Sequence, residues 1–265
     1  MLLVGSLEEK GLKKSQGVDR LQIGALTHPG VIREKNEDCY SIIRKEDASA
    51  IVVIVADGMG GHKSGEQASK IATSIAQETL EQRLGVESLL APDICDVFTN
   101  IMEKANAQVI KIGAKNIKSS GMGTTLTILG IQKDEFVVSH VGDSRVYVVN
   151  ENTIKRITTD HSYVQDLIDN GTITPEQAQN HPRRNVITKA VGGDKTIKPD
   201  FYRGKISAND SLLVCTDGLT NMVEETLILE ILNKDLTADD AVKELVNLAN
   251  DNGGSDNVTA VLVRI

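Results

Sequence analysis

Ala50-Ile51-Val52-Val53-Ile54-Val55-Ala56 is an uninterrupted apolar run that stops at Asp57-Gly58, a turn signal. A short, β-branched segment bounded in this way reads as a strand. It is far too short for a membrane helix, which needs about 20 apolar residues. Two further strand-like stretches lie N-terminal to it, Leu21–His28 and Cys39–Arg44. On its C-terminal side two helical patterns follow. Ala68, Ile71, Ala72, Ile75, Ala76 and Leu80 recur at helical spacing, as do Ile94, Val97, Phe98, Ile101, Met102, Ala105 and Val109. Strands then return at Thr124–Ile131, Glu135–Val141 and Arg145–Val149, and again near Phe201–Lys205 and Leu212–Thr216. A last helix uses Ala241, Val242, Leu245, Leu248 and Ala249, and Asn257–Ile265 closes the chain as a strand. Between them, residues 162–184 are polar and helix-prone. Asn170-Gly171 is a helix stop there, and Thr174-Pro175-Glu176-Gln177 a helix start with a capping box. Strand blocks separated by paired helices do not match the regular alternation of a doubly wound sheet. They fit an α+β fold, a mostly antiparallel β-sandwich with helices outside.

The chain has 265 residues, of which 40% are hydrophobic, enough for a substantial core. From Leu21 onward no Pro/Gly/Ser-rich linker interrupts it, so residues 21–265 read as one domain preceded by a loose extension, residues 1–20. Aromatic residues make up 3% and Trp is absent, which disfavours a stacking platform for nucleic acid. The net charge of −8 disfavours general binding to nucleic acid or anionic lipid. No run is long enough for membrane insertion. Three widely spaced cysteines, Cys39, Cys95 and Cys215, suit a reducing cytoplasm better than a disulfide framework.

The placement of the acids carries the functional signal. Ile51–Ala56 ends in Asp57-Gly58, Ser211–Thr216 ends in Asp217-Gly218, and Val137–Val141 leads into Gly142-Asp143. Asp256 immediately precedes the final strand, and Asn36-Glu37-Asp38 opens an early one. Any one of these clusters is ordinary turn chemistry. Five together at strand ends would repel one another unless a cation lay among them. All-oxygen donors suit a hard ion, Mg²⁺ or Mn²⁺, over Zn²⁺. The stretch from Asp57 to Glu66 is glycine-rich but is not a phosphate-binding P-loop. Aligned on Lys63-Ser64, the two required glycines fall on Asp57 and His62. The glycines instead allow backbone, including the Gly58 carbonyl, to approach a metal.

Eight motifs occur in a fixed order. They are Arg33-x-x-Asn36-Glu37-Asp38, VADGMGGHKSGEQAS from Val55, GMGTTLT from Gly121 and VGDSRVY from Val141. TTDHSYV from Thr158, HPRRNVITKAVG from His181, LLVCTDGLTNMV from Leu212 and GGSDNVTAVLV from Gly253 complete the series. With these, the chain from Leu21 to Ile265 resembles the bacterial PP2C-type (PPM family) metal-dependent protein serine/threonine phosphatases. The resemblance implies an αββα architecture, a β-sandwich flanked on both faces by helix pairs, with a two-metal centre at one edge. Asp57 would bridge the two Mn²⁺ or Mg²⁺ ions. Asp217 and Asp256 would complete one site and the Gly58 carbonyl the other, supported by Asp38 or Glu37. Asp143 would bind a weaker third ion, and Arg33 would hold the substrate phosphate. A water or hydroxide bridging the ions would attack phosphoserine or phosphothreonine on proteins, among them a Ser/Thr protein kinase. Residues 163–184 would be a flap beside the cleft. The implied protein is a cytoplasmic monomer. Met59 stands where eukaryotic relatives often carry a histidine proposed as general acid. The alternative is a catalytically weak, phosphatase-like regulatory binding module, which retention of every core aspartate disfavours.

Overall fold

The computed structural model describes residues 21–45, 49–60, 64–84, 88–115 and 121–265. The expected extension at 1–20 and the residues 61–63 of the glycine-rich stretch lie outside these. In chain order the first half comprises β1 (Gln22–His28), β2 (Cys39–Arg44), β3 (Ala50–Ala56), β4 (Gly58–Met59), α1 (Ser64–Leu84) and α2 (Ile94–Gly113). Then come β5 (Gly123–Thr124), β6 (Leu126–Gln132), β7 (Glu135–Val141), β8 (Arg145–Val149), β9 (Ile154–Arg156), α3 (Tyr163–Asp169) and α4 (Pro175–Gln179). The chain ends with β10 (Asp200–Lys205), β11 (Ser211–Cys215), α5 (Asp217–Thr220), α6 (Glu225–Leu232), α7 (Ala238–Asp251) and β12 (Val258–Arg264).

Two five-stranded sheets run β1-β12-β11-β8-β9 and β10-β7-β6-β3-β2, and every pairing within them is antiparallel. The apolar residues separate into three clusters that fill the three spaces between four layers. Ile51, Val53 and Val55 of β3 meet Val214 and Val261 from the opposite sheet in the middle of the sandwich. Val52, Ile54 and Ala56 of the same strand pack under α1 and α2, with Ala68, Ala72, Phe98 and Ile101. On the far side, Leu213, Cys215, Ala260 and Leu262 lie beneath α6 and α7, with Ile228, Ala241, Val242 and Leu245. Successive strand side chains point to opposite faces. A strand covered on both faces must therefore be apolar at every position, and all seven residues of β3 are buried. The αββα architecture expected from the resemblance is the one observed.

Element bounds agree with the sequence reading to within a few residues. The capping box of α4 is present, with Thr174 Oγ1 accepting from Gln177 N and Gln177 Oε1 accepting from Thr174 N. The sequence reading did not identify β9, the two-residue pair β4 and β5, or helices α5 and α6.

Candidate metal centre

Strands of both sheets end at one rim. Asp57 follows β3, Asp38 precedes β2, and Asp143 lies in the β7–β8 turn. From the other sheet, Asp217 follows β11 and Asp256 precedes β12 by two residues. Register does the assembling. Cys39 pairs with Ala56, which brings Asp38 beside Asp57. Cys215 pairs with Ala260, and Thr216 N donates to Thr259 O at 3.0 Å, so the Asp217 and Asp256 ends lie side by side.

Polar neighbours fix several of these acids. Asp57 N donates to Thr125 Oγ1 at 2.8 Å, while Asp57 O accepts from Thr124 Oγ1 at 2.8 Å and Thr125 N at 2.9 Å. The Gly-Thr-Thr of the third motif thus clamps the Asp57 backbone without using its carboxyl. Thr125 Oγ1 also meets Ser144 Oγ at 2.9 Å, tying the clamp to the turn that carries Asp143. Asp38 Oδ2 accepts from Thr259 Oγ1 at 2.6 Å and Thr216 Oγ1 at 3.0 Å. Asp217 Oδ2 accepts from Asn221 Nδ2 at 3.0 Å. Gly58 N donates to Glu37 O at 3.2 Å. Asn257 accepts from Glu37 N at 2.7 Å and donates to Pro29 O and Lys35 O, stapling the 29–37 loop to the start of β12. Arg33 is exposed at the rim, with Nη2 2.9 Å from Asp256 Oδ2.

Burial first, and crowding of like charge second, raise the carboxyl pKa values. Burial first, then the neighbouring Asp38, Asp217, Asp143 and Asp256, hold Asp57 well above the ordinary carboxylate range. Burial pushes Asp38 up to about 7, against the two threonine hydroxyls that favour its ionised form. Asp143 is raised by burial and by Asp217, and Asp217 by burial and by Asp256. A hydrogen bond from the Asp57 carboxyl offsets part of the rise at Asp217. Glu37 is raised by burial, with Arg33 pulling the other way.

The donor set fits hard divalent cations. It is all oxygen, and three buried carboxylate oxygens, Glu37 Oε1, Asp38 Oδ1 and Asp143 Oδ1, have no hydrogen-bond partner. Each is a buried acceptor whose desolvation a cation would offset. The sequence-derived acids are brought together as a neighbourhood rather than as closed coordination shells. Among the described residues no group of three or more acidic, His or Cys side chains is already closed around one ion-sized point.

Sequence reasoning passed over Thr125, Ser144, Thr216, Thr259, Asn221 and Asn257. All six stand inside the recognised motifs, but their roles depend on register. It also left Arg145 unassigned. Arg145 forms a two-pronged ion pair with Asp160, joining the Gly-Asp-Ser-Arg turn to the root of residues 163–184. His161 adds a second link, accepting from Gly142 N through Nδ1 at 3.0 Å. His62 lies outside the described residues.

Comparison with known proteins establishes the family. A family model described as Protein phosphatase 2C matches residues 33–263. The Serine/threonine phosphatase stp of Listeria welshimeri is 36% identical over 237 residues, covering 89% of this chain and 93% of that protein. Protein phosphatase PhpP of Streptococcus pneumoniae is 34% identical over 244 residues, covering 92% and 97%. Among solved structures, the serine/threonine phosphatase of S. agalactiae superposes with a TM-score of 0.85 at 33% identity, covering 92% of this chain and 99% of that one. The catalytic domain of the serine/threonine protein phosphatase PstP, solved with two manganese ions, gives 0.77 at 31% identity, covering 92% and 97%. The family model covers every acid of the rim, and the relatives match over about nine-tenths of the chain: it belongs to the protein phosphatase 2C family.

Proposed function

We propose that this chain hydrolyses phosphoserine and phosphothreonine monoesters on proteins at a centre of Mn²⁺ or Mg²⁺ ions. Asp57, the Gly58 carbonyl, Asp217 and Asp256 would hold two ions, with Asp38 and Glu37 in support and Asp143 at a weaker third. The observation that carries this reading is the convergence of Asp38, Asp57, Asp143 and Asp217 on one rim, each with its pKa raised by burial first and by neighbouring acids second. A fold tolerates such crowding where function requires the charge. The names of relatives such as the Listeria welshimeri and S. agalactiae serine/threonine phosphatases support the substrate class.

The ions, when bound, supply Lewis acidity that lowers the pKa of water and neutralises phosphoryl charge. The protein supplies position. The Thr124–Thr125 clamp fixes Asp57, Asn221 orients the Asp217 carboxyl, and Thr216 and Thr259 present the free oxygen of Asp38. Arg33 brings a permanently charged, multi-donor guanidinium to the rim, able to hold two phosphate oxygens at once. Met59 is committed to the small β4–β5 pairing opposite Gly123 and has no proton to give. Phosphorylated proteins are the substrates, and a Ser/Thr protein kinase is a candidate among them. No helix among the described residues is long and apolar enough to cross a membrane.

The test is phosphate release from a phosphothreonine peptide with Mn²⁺, with Mg²⁺ and with EDTA, beside the Asp57→Ala chain. Divalent-dependent release, lost with EDTA and in the variant, is expected. A folded native chain that releases nothing with either ion would instead point to a regulatory binding module.

A further inference from the structure

Val31 and Ile32 are the most exposed large apolar side chains among the described residues, at 64% and 68%. Scattered exposed apolar residues need no explanation. These two are adjacent, and the next residue is Arg33. They are also held rigidly. Val31 N and Ile32 N both donate to Gly254 O, at 2.8 and 3.2 Å. Gly30 N donates to His28 Nδ1 at 3.0 Å, and the same ring nitrogen lies 3.3 Å from Asn250 Nδ2 at the end of α7. Asn257 Nδ2 donates to Pro29 O at 2.9 Å. Gly30 has φ +83°, and a Cβ there would fall 2.2 Å from Asp256 O. The turn that displays the two apolar side chains is therefore bolted to the loop that carries Asp256.

We propose that Val31 and Ile32 form an apolar shelf that receives the side chain next to the phosphorylated residue, so that the chain favours phosphopeptides with a large aliphatic neighbour. The inference rests on the phosphatase reading and on Arg33 at the phosphate. Consecutive residues of an extended peptide advance by about 3.3–3.6 Å. In this reading a phosphate at Arg33 sets the flanking side chain on the Val31–Ile32 turn, which adjoins Arg33 in the chain. A surface ordered before binding loses little freedom when it is covered, so its apolar area converts efficiently into affinity. Arg33 reads the phosphate, and the shelf reads what stands beside it.

The experiment compares two phosphothreonine peptides, identical except for Leu or Ser on both sides of the phosphothreonine. Both are assayed with Mn²⁺ against the native chain and against Val31→Ser/Ile32→Ser. The native chain is expected to prefer the Leu peptide by roughly tenfold in kcat/KM, the worth of partly burying one aliphatic side chain. The preference should be carried by KM and should fall to about one in the double variant. A native ratio near one, or a ratio the double variant retains, overturns the proposal. So does a change in sedimentation of the variant with the ratio intact, which would assign the shelf to a second copy of the chain. If the native chain hydrolyses neither peptide nor p-nitrophenyl phosphate, the phosphatase reading itself has failed, and the inference falls with it.

Discussion

Asp57 answers to two opposed demands. Its backbone is fixed by Thr124 and Thr125, so the fold does not need its charge. Its carboxyl sits among four other acids that raise its pKa, so without a cation the charge is a liability. Asp57→Asn keeps the shape, and its amide can still donate to Asp217. In EDTA at neutral pH this variant should be more stable than the native chain, because burial and the neighbouring acids disfavour the native carboxylate. With Mn²⁺ its turnover of a phosphothreonine peptide should fall by orders of magnitude. Urea unfolding midpoints in EDTA check the first half, and a variant that is both inactive and less stable would show that the carboxylate supports the fold. At this scale the acids were legible because an aspartate ending an apolar run stands out. Thr216 and Thr259 were not, since a threonine in a strand is unremarkable until register sets it against Asp38. Asn257, whose side chain ties together three stretches of the 29–37 loop, was hidden for the same reason.

The junction of β11, α5 and β12 sets the distance between Asp217 and Asp256. Helix α5 is a single turn, and Gly218 within it packs directly on the backbone entering β12. A Cβ at 218 would lie 1.9 Å from Asn257 O, a backbone atom with no flexible end to yield. Gly218→Ala should therefore cost at least about 3 kcal/mol, or prevent accumulation of folded chain. Thermal unfolding of the purified variant measures this, and a native-like Tm would mean the junction can spread. Local sequence told unequal amounts about the elements. The all-apolar β3 was plain, because burial on both faces removes the polar half of the usual alternation. Helix α6 was not, since its Leu-Ile-Leu-Glu-Ile-Leu core has no period that separates a short helix from a buried strand. The three residues of β9 are a strand by virtue of pairing with β8 at the sheet edge.

Across the whole molecule, the rim makes stability, pH and cation binding one linked equilibrium. Asp38 has a folded pKa of about 7 against an ordinary value of 3.8. Between those values the folded chain without cations holds more protons than the unfolded chain. Its stability contribution is thus full below about pH 4 and is lost as pH rises through 7. Asp57, Asp143 and Asp217 are shifted in the same direction. Buried His140 works the other way. Burial lowers it to about 4 from 6.5, so its contribution rises with pH between those values. The raw Tm–pH curve mixes the two effects, but a difference between curves does not. His140 is absent from the proposed metal ligand set, so it cancels when EDTA and Mn²⁺ curves are subtracted. What remains is competition between protons and cations for the rim carboxylates. The gain in Tm on adding Mn²⁺ should be small near pH 4, should grow steadily toward pH 7, and should shrink at every pH in Asp57→Asn. Thermal unfolding in paired buffers measures it. A gain that is flat with pH, or largest in acid, would mean that the cation binds elsewhere and that the crowded carboxyls serve another purpose.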